Sequence, residues 1–365
     1  MTSREVFSSR IRKLRAQLRG AGLEGVIIAP GPNIRYYTGI NSLLLERPFL
    51  LFVPEQGELQ VVAPKFESGP YRRSPLRIMV HDWEDGTGPS PAFREVVGQL
   101  DLTGVWGSEG RVPFGYLHEL QKFGKLRLDN AEPVLQSVRE IKDAEEIGLH
   151  KESAEILARC LLKIPDLLAH DMTELQLSKR LVEEAYAEGV ETAEIMVQAG
   201  ANAADPHAQP SSKKIGRNEA VVIDAVSSYR GYYADITRSL VTGRNAEFEK
   251  SYTTVLEAQL RAIEECRVGA EVGAVDGAAR GYLERKGLAH LFTHRTGHGL
   301  GLEVHEAPYI VPGGKEVLTA GMIFTVEPGV YVAGDFGVRI EDNVIIGKKG
   351  EVTTRMLPKE FGWWQ

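Results

Sequence analysis

Two kinds of hydrophobic pattern alternate along the first third of the chain. Apolar side chains recur at helical spacing in residues 5–19, which predicts an amphipathic helix that two glycines end. Short apolar runs that close on proline predict strands, and these are GVIIAP (25–30), FLLFVP (49–54) and LQVVAP (59–64). A further strand at 105–109 and a short helix at 114–124 complete the set. We therefore expect a small α/β domain.

Residues 127–143 interrupt this pattern, because they hold Pro133 and few periodic apolar positions. We place a domain boundary near Glu132 and predict an N-terminal domain of residues 1–132 and a catalytic domain of residues 133–365. A chain of 365 residues has room for about two or three domains.

The second domain repeats one arrangement, in which two helices precede a hairpin. Capping-box spacing predicts the starts of its first two helices, at Asp143–Glu146 and at Thr173–Gln176. Pro165 and Gly189 are predicted to end them. The remaining elements are a hairpin over 219–243, helices over 246–266 and 272–286, and strands over 322–332 and 337–347. The fold class that follows is α+β, with a smaller α/β domain in front.

Composition narrows the function. The chain is 43% hydrophobic and 25% charged, with 43 Lys and Arg against 50 Asp and Glu, which is typical of a globular enzyme and gives no cationic cluster for nucleic acid. Its two cysteines are too few for a disulfide scaffold. We find neither an apolar leader nor a stretch of about 18 apolar residues, so we expect a cytoplasmic protein without a membrane partner.

The first hairpin carries a pair of acidic residues. If its turn centres between Tyr229 and Arg230, then Asp224 and Asp235 face each other across the strands. Directly opposed residues have Cβ atoms about 4.5–5.5 Å apart, so two carboxylates would lie side by side.

The second hairpin repeats this arrangement. Glu327 and Glu341 would be opposed if the turn centres on Gly334. Two pairs of like charges are costly unless a cation lies between them, and two divalent metal ions would balance all four.

A histidine-rich segment offers a fifth ligand. FTHRTGHGLGLEVHEAP (292–308) contains His294, His298 and His305. The first two stand four apart, as in a helical zinc pair, but three nearby glycines argue against a helix. We take His298 as the ligand. Carboxylates with one imidazole suit Mn²⁺, Co²⁺, Fe²⁺ or Zn²⁺, and two such ions about 3.5–4 Å apart would share a water and lower its pKa.

Five segments together resemble the dinuclear metallopeptidases of the pita-bread fold, in particular the prolidase and aminopeptidase P branch. They are NAADPHAQP (202–210), IDAVSSYRGYYADITRS (223–239), THRTGHGLGLEVHE (293–306), TVEPGVY (325–331) and VRIEDNV (338–344). The resemblance implies a C-terminal pita-bread domain behind a creatinase/prolidase-type N-terminal domain. It also implies a homodimer and two divalent ions per subunit, with Mn²⁺ as our first choice and Co²⁺, Zn²⁺ or Fe²⁺ as alternatives.

The same resemblance implies a role for each site residue. The metal ligands would be Asp224, Asp235, His298, Glu327 and Glu341, with Asp235 and Glu341 bridging the ions and Glu327 also acting as general base. Two histidines would act on the substrate: His207 would bind it and stabilise the tetrahedral intermediate, and His305 would contact the scissile peptide. His294 would line the proline side, and Arg339 would orient a metal-binding carboxylate.

The implied reaction is hydrolysis of an Xaa–Pro bond by a hydroxide that bridges two metals. A dipeptidase needs a cation where the proline carboxylate ends, and Arg47 is our candidate for it. The compact N-terminal domain favours a dipeptidase over the alternative, an aminopeptidase P that acts on longer peptides.

Other members of the fold are less favoured. A non-catalytic peptidase-like binding module or a metal-free creatine-hydrolysing enzyme would lack the ligands that this chain keeps. A methionine aminopeptidase would have no use for the extra N-terminal domain.

Overall fold

The apolar, proline-terminated runs of the first part form the middle of a mixed six-stranded sheet, in the computed structural model that describes residues 3–169 and 171–364. Its strand order is β4-β3-β2-β1-β5-β6. The strands are β1 (Gly25–Ile28), β2 (Leu50–Pro54), β3 (Leu59–Pro64), β4 (Ile78–Trp83), β5 (Val105–Ser108) and β6 (Arg127–Asn130). Every residue of β1, β2 and β3 is buried, which explains their near-continuous apolar sequences.

Six helices belong to the same unit. They are α1 (Ser3–Gly20), α2 (Pro32–Thr38), α3 (Gly69–Arg72), α4 (Ser90–Leu100), α5 (Phe114–Gln121) and α6 (Glu132–Arg139). The strands and helices predicted for this part are all present, to within a few residues at their ends.

The chain divides into two compact units between Arg139 and Glu140, somewhat after the predicted boundary at Glu132. The reason is helix α6, which the sequence analysis did not predict. Its Val138 carbonyl accepts a hydrogen bond from the Tyr36 hydroxyl at 3.2 Å, and Arg139 Nη1 donates to Asn33 Oδ1 at 3.1 Å. These contacts tie the helix to the first unit.

The second unit contains five helices and ten strands among the described residues. The helices are α7 (Ala144–Leu161), α8 (Ile164–Leu167), α9 (Glu174–Ala187), α10 (Ala246–Glu265) and α11 (Val272–Arg285). The strands are β7 (Thr192–Ala199), β8 (Ala220–Tyr229), β9 (Tyr232–Val241), β10 (Gly297–Gly299), β11 (Glu306–Ile310), β12 (Ile323–Val326), β13 (Gly329–Val332), β14 (Phe336–Arg339), β15 (Asp342–Ile346) and β16 (Gly350–Val352).

The predicted repeat of helices and hairpins is present. Both capping boxes form, with Asp143 accepting from the Glu146 amide and Thr173 from the Gln176 amide. The strands make a three-stranded sheet, β7-β8-β9, a five-stranded sheet, β11-β10-β12-β15-β16, and a β13-β14 ribbon. The α+β class is therefore confirmed. No described helix combines the length and apolar character needed to cross a membrane.

A buried histidine makes the stability of this unit depend on pH. His150 on α7 is 1% exposed, and its ring contacts the Tyr233 carbonyl at 2.9 Å and Thr353 Oγ1 at 3.3 Å. Burial lowers the pKa of His150 from 6.5 to about 4. The unfolded chain therefore binds a proton here that the folded chain does not bind between those pH values.

We predict that acidification removes stability through His150 and that His150→Gln lessens the effect. Because the folded pKa of His150 is depressed, keeping it neutral costs almost nothing at pH 7.5 and about 2 kcal/mol at pH 5. Urea unfolding at pH 7.5 and pH 5 should show a fall in unfolding free energy that is smaller in the variant by about that amount. Equal falls in the two proteins would contradict the assignment.

Candidate metal centre

The first acidic pair lies on the β8-β9 hairpin, in a register that differs from the prediction. Asp224 is opposite Thr237, and Asp235 is opposite Val226. The two-residue turn is Arg230-Gly231, whose φ values of 48° and 86° are those that a type I′ turn requires. The predicted direct opposition of Asp224 and Asp235 is therefore wrong. The offset is even, so both carboxylates remain on one face as diagonal neighbours.

The second acidic pair lies where both strands of its hairpin are interrupted. β12 pairs with β15 and β13 pairs with β14 in one register about Gly334, as predicted. Glu327 and Glu341 fall between these paired segments, so the continuous strands predicted here are split. Pro328 has no N–H for the ladder, and the amides of the two glutamates instead donate to the Thr296 and Thr237 carbonyls at 2.8 and 3.1 Å.

His298 lies in the three-residue strand β10, between two glycines that the packing requires. A Cβ at Gly297 would collide with the Thr325 carbonyl oxygen, and one at Gly299 with the Ala307 carbonyl oxygen. Neighbouring backbone therefore approaches β10 closely on both sides. The glycines that argued against a helix are those that let His298 enter the sheet.

Three of the five predicted ligands form a compact buried cluster. Asp235, His298 and Glu341 each place a ligand atom within 4.8 Å of the other two. His298 Nε2 also lies 3.4 Å from Glu327 Oε1. Asp224 is outside the three-residue cluster, and its Oδ2 accepts a hydrogen bond from Arg339 Nη2 at 2.8 Å.

The carboxylates of this cluster are crowded in low dielectric. Burial, followed by the charges of Glu341, Asp224 and Glu327, raises the pKa of Asp235 well above its usual value. The pKa of Glu341 is raised for the same two reasons, and burial raises the pKa of Glu327 to about 7. Burial also lowers the pKa of His298 to about 3, which keeps its imidazole neutral and free to bind a metal ion.

The donor set fits divalent cations. Asp224 Oδ1 and Asp235 Oδ1 are buried without a hydrogen-bond partner in the described structure. Arg339 is the one lysine or arginine, among residues 3–169 and 171–364, that pairs with any of the four carboxylates. A bound cation would coordinate these unpaired oxygens and balance the negative charge around them. The residues therefore fit the divalent ions that the sequence implied.

Several residues that sequence reasoning missed hold the ligands in place. Thr237 Oγ1 donates to Glu341 Oε2 at 2.6 Å, and the Asp235 amide donates to Asn343 Oδ1 at 3.2 Å. Arg339 reaches Thr237 Oγ1 at 3.1 Å and the Tyr331 hydroxyl at 2.9 Å, besides Asp224. Thr237 could have been predicted as a site residue from its position opposite Asp224, but that position follows only from the correct register.

The other predicted histidines surround this cluster. The His305 ring packs edge-to-face on His298, with centroids 4.2 Å apart, and its own side chain is exposed. His294 Nε2 lies 2.8 Å from the Tyr331 hydroxyl. His207 is exposed on the loop after β7, near enough for its charge to influence both His294 and His305.

Arg47 belongs to the first unit, where carboxylates already surround it. Its Nε and Nη2 each donate to Asp85 at 3.0 Å, and Nη1 pairs with Glu46. The Arg47 guanidinium is therefore paired with carboxylates of its own unit.

Two buried and two half-buried carboxylates around one neutral imidazole, with exposed histidines nearby, form a donor set that is typical of metal-dependent enzymes. Residues 148–348 match Metallopeptidase family M24, and residues 10–141 match the Creatinase/Prolidase N-terminal domain. The chain belongs to metallopeptidase family M24.

Its relatives extend over the whole chain. A probable dipeptidase PepE from Mycobacterium tuberculosis is 35% identical over 98% of this chain and 96% of its own length. An Xaa-Pro dipeptidase from Pyrococcus horikoshii is 29% identical over 98% of this chain and 99% of its own. The crystal structure of prolidase from Thermococcus sibiricus superimposes with a TM-score of 0.90 at 36% identity, covering 95% of this chain and 96% of that one.

We predict that Asp235→Asn abolishes metal-dependent stabilisation. With free Mn²⁺ at about 100 times its dissociation constant, each site that binds only the folded chain stabilises it by about 2.7 kcal/mol. Thermal unfolding with and without Mn²⁺, together with metal analysis, should show this gain in the parent and not in the variant. Without metal, the variant should be at least as stable as the parent, because it lacks one buried like charge.

The matched control is Glu271→Gln, which removes the same charge from a carboxylate paired with Lys315 at the surface. It should keep the metal content of the parent. An Asp235→Asn protein that retains that content would contradict the site.

Proposed function

We propose that this protein hydrolyses Xaa–Pro dipeptides. The observation that carries the proposal is the acidic cluster with a neutral imidazole and two exposed histidines, His207 and His305, near it. The names of its relatives support the choice of a dipeptide, since they include a probable dipeptidase, an Xaa-Pro dipeptidase and a prolidase.

The metal ions would be two per chain, with Mn²⁺ as our first choice. Asp224, Asp235, His298, Glu327 and Glu341 would hold them. When bound, these ions supply positive charge to the scissile carbonyl and acidify a water. Arg339 would keep Asp224 oriented, because its guanidinium is fixed by Thr237 and Tyr331.

Glu327 is our candidate for proton transfer. Its Oε1 accepts from Thr325 Oγ1 at 3.2 Å, which fixes the carboxylate beside His298. From this place it would take the proton of the attacking water and deliver it to the prolyl nitrogen. That delivery is needed because the leaving group of an Xaa–Pro bond departs as a secondary amine.

His207 and His305 would act on the substrate. Both side chains are exposed, so a bound peptide can contact them. His294 and His298 are less accessible. His207 would donate to the oxygen that becomes negative in the tetrahedral intermediate, and His305 would hold the scissile peptide. His294, fixed against Tyr331, would line the proline side. We further propose that the protein is a homodimer, on the basis of the family resemblance. We also propose a cytoplasmic location, on the basis of its composition.

A substrate panel tests the reaction. With Mn²⁺, kcat/KM for Ala-Pro should exceed that for Ala-Gly by about tenfold or more, because a pocket shaped for the pyrrolidine ring rejects a smaller residue. The tripeptide Ala-Pro-Gly should be a poorer substrate than Ala-Pro. A preference for the tripeptide would instead indicate an aminopeptidase P, and no cleavage of any peptide would indicate a binding module.

Histidine variants test the site assignment. His207→Ala and His305→Ala should each lower kcat/KM for Ala-Pro by roughly 100-fold, as expected when one stabilising contact to the transition state is lost. The metal content should not change, because neither residue is a proposed ligand. Parent-like kinetics in both variants would refute their roles.

A further inference from the structure

Asp342, the first residue of β15, is the centre of a buried hydrogen-bond network. It is 1% exposed, and both of its carboxylate oxygens accept two hydrogen bonds. Oδ1 accepts from Arg238 Nη2 at 2.7 Å and from Thr354 Oγ1 at 2.6 Å. Oδ2 accepts from Gln259 Nε2 at 3.0 Å and from Lys359 Nζ at 2.6 Å. Because two of these donors are cations, this carboxylate is compensated within the protein itself.

The Asp342 network also holds the backbone beside both strand breaks of the second acidic pair. Val326 and Asp342 are the last residue pair of the β12-β15 ladder before the two glutamates leave it. Gln259 Nε2 donates to the Val326 carbonyl at 3.2 Å. Arg238 Nη1 donates to the Glu341 carbonyl at 2.6 Å. The network therefore contacts the chain at each point where a proposed glutamate ligand is attached.

Lys359 connects the C-terminal segment, residues 353–364, to this network. Its Nζ donates to Asp342 Oδ2 at 2.6 Å and to Gln259 Oε1 at 2.7 Å, and its side chain is 19% exposed. Its carbonyl accepts a hydrogen bond from the Tyr252 hydroxyl at 2.9 Å. The ammonium is thus fixed through its own backbone, and it holds an α10 side chain and a β15 side chain at one separation.

The two glutamates need support of this kind. They lie between the paired segments of their hairpin, so regular ladder hydrogen bonds do not set their spacing. Metal ligands must be held to within about 0.5 Å of their productive geometry, and residues outside the ligand set commonly supply that precision.

We propose that Lys359 is a positioning residue for the metal centre. By joining Asp342 to Gln259, it fixes the spacing of the strand breaks that carry Glu327 and Glu341. This inference rests on the metal centre of the proposed function and not on the choice of peptide substrate.

Calorimetric titration of the metal-free protein with Mn²⁺ tests the inference. Lys359→Met keeps most of the side-chain length and removes the ammonium. The dissociation constant of the more weakly bound ion should rise roughly 10- to 100-fold, as is typical when a partner of a metal ligand is lost. Lys359→Arg retains a charged donor and should keep more of the affinity than Lys359→Met.

Trp364→Phe is the matched control for a loss of stability alone. Trp364 lies on the same C-terminal segment, is 9% exposed and donates from Nε1 to the Val241 carbonyl at the end of β9. Without metal, Trp364→Phe and Lys359→Met should both melt at a lower temperature than the parent, because each loses a buried hydrogen bond. At a temperature where all variants are folded, only Lys359→Met should lose Mn²⁺ affinity.

A double-mutant cycle with Gln259→Met tests whether Lys359 acts through its hydrogen-bond partner. If both side chains fix one spacing, the double variant should lose less affinity than the product of the two single fold-changes. A purely structural role of Lys359 would lower the melting temperature and leave the dissociation constants unchanged.

The outcomes separate this inference from the proposed function. If the parent binds Mn²⁺ but cleaves no peptide, the proposed function fails, and the affinity of Lys359→Met still decides the inference. If the parent cleaves Ala-Pro and Lys359→Met binds Mn²⁺ as tightly as the parent, the inference fails and the proposed function stands. An equal loss of affinity in Trp364→Phe, or fully multiplicative effects in the cycle, would also overturn it.

Discussion

Repulsion among buried carboxylates is the constraint on which the rest of this structure depends. Asp235, Glu327 and Glu341 lie close together, and Asp224 is near enough to raise the pKa of each. Among the described residues, Arg339 alone forms an ion pair with any of them, at Asp224. Such an arrangement is unstable as four free anions in low dielectric. The protein can keep it either by retaining protons or by binding cations, and a neutral His298 with orphaned Asp224 and Asp235 oxygens favours cations.

The backbone holds this arrangement by withdrawing both glutamates from the regular ladder. Glu327 and Glu341 donate their amides to segments outside their own hairpin, and Thr237 fixes one carboxylate while Thr325 fixes the other. Close approach at Gly297 and Gly299 then brings His298 to the same point. The ligands thus come from three separate hairpins, on strands or, for Glu327 and Glu341, on short breaks between strands.

The sequence predicts most of the helices, strands and hairpins because turn chemistry and hydrophobic spacing are local properties. Gly334 marks the second turn and so the correct register, whereas placing the first turn between Tyr229 and Arg230 ignored Gly231, the residue that a type I′ turn favours. Pro328 could have signalled the split strand. Contacts between distant segments, such as Arg339 with Asp224, follow from tertiary packing and no local pattern contains them. Helix α6 was missed because its one apolar stripe, over 134–138, is too short to show a period.

Anomalous diffraction from crystals of the manganese-loaded protein tests the central claim most directly. The account predicts two strong peaks per chain, surrounded by Asp224, Asp235, His298, Glu327 and Glu341. Peaks elsewhere, or a fully active preparation that contains no divalent ion, would contradict it.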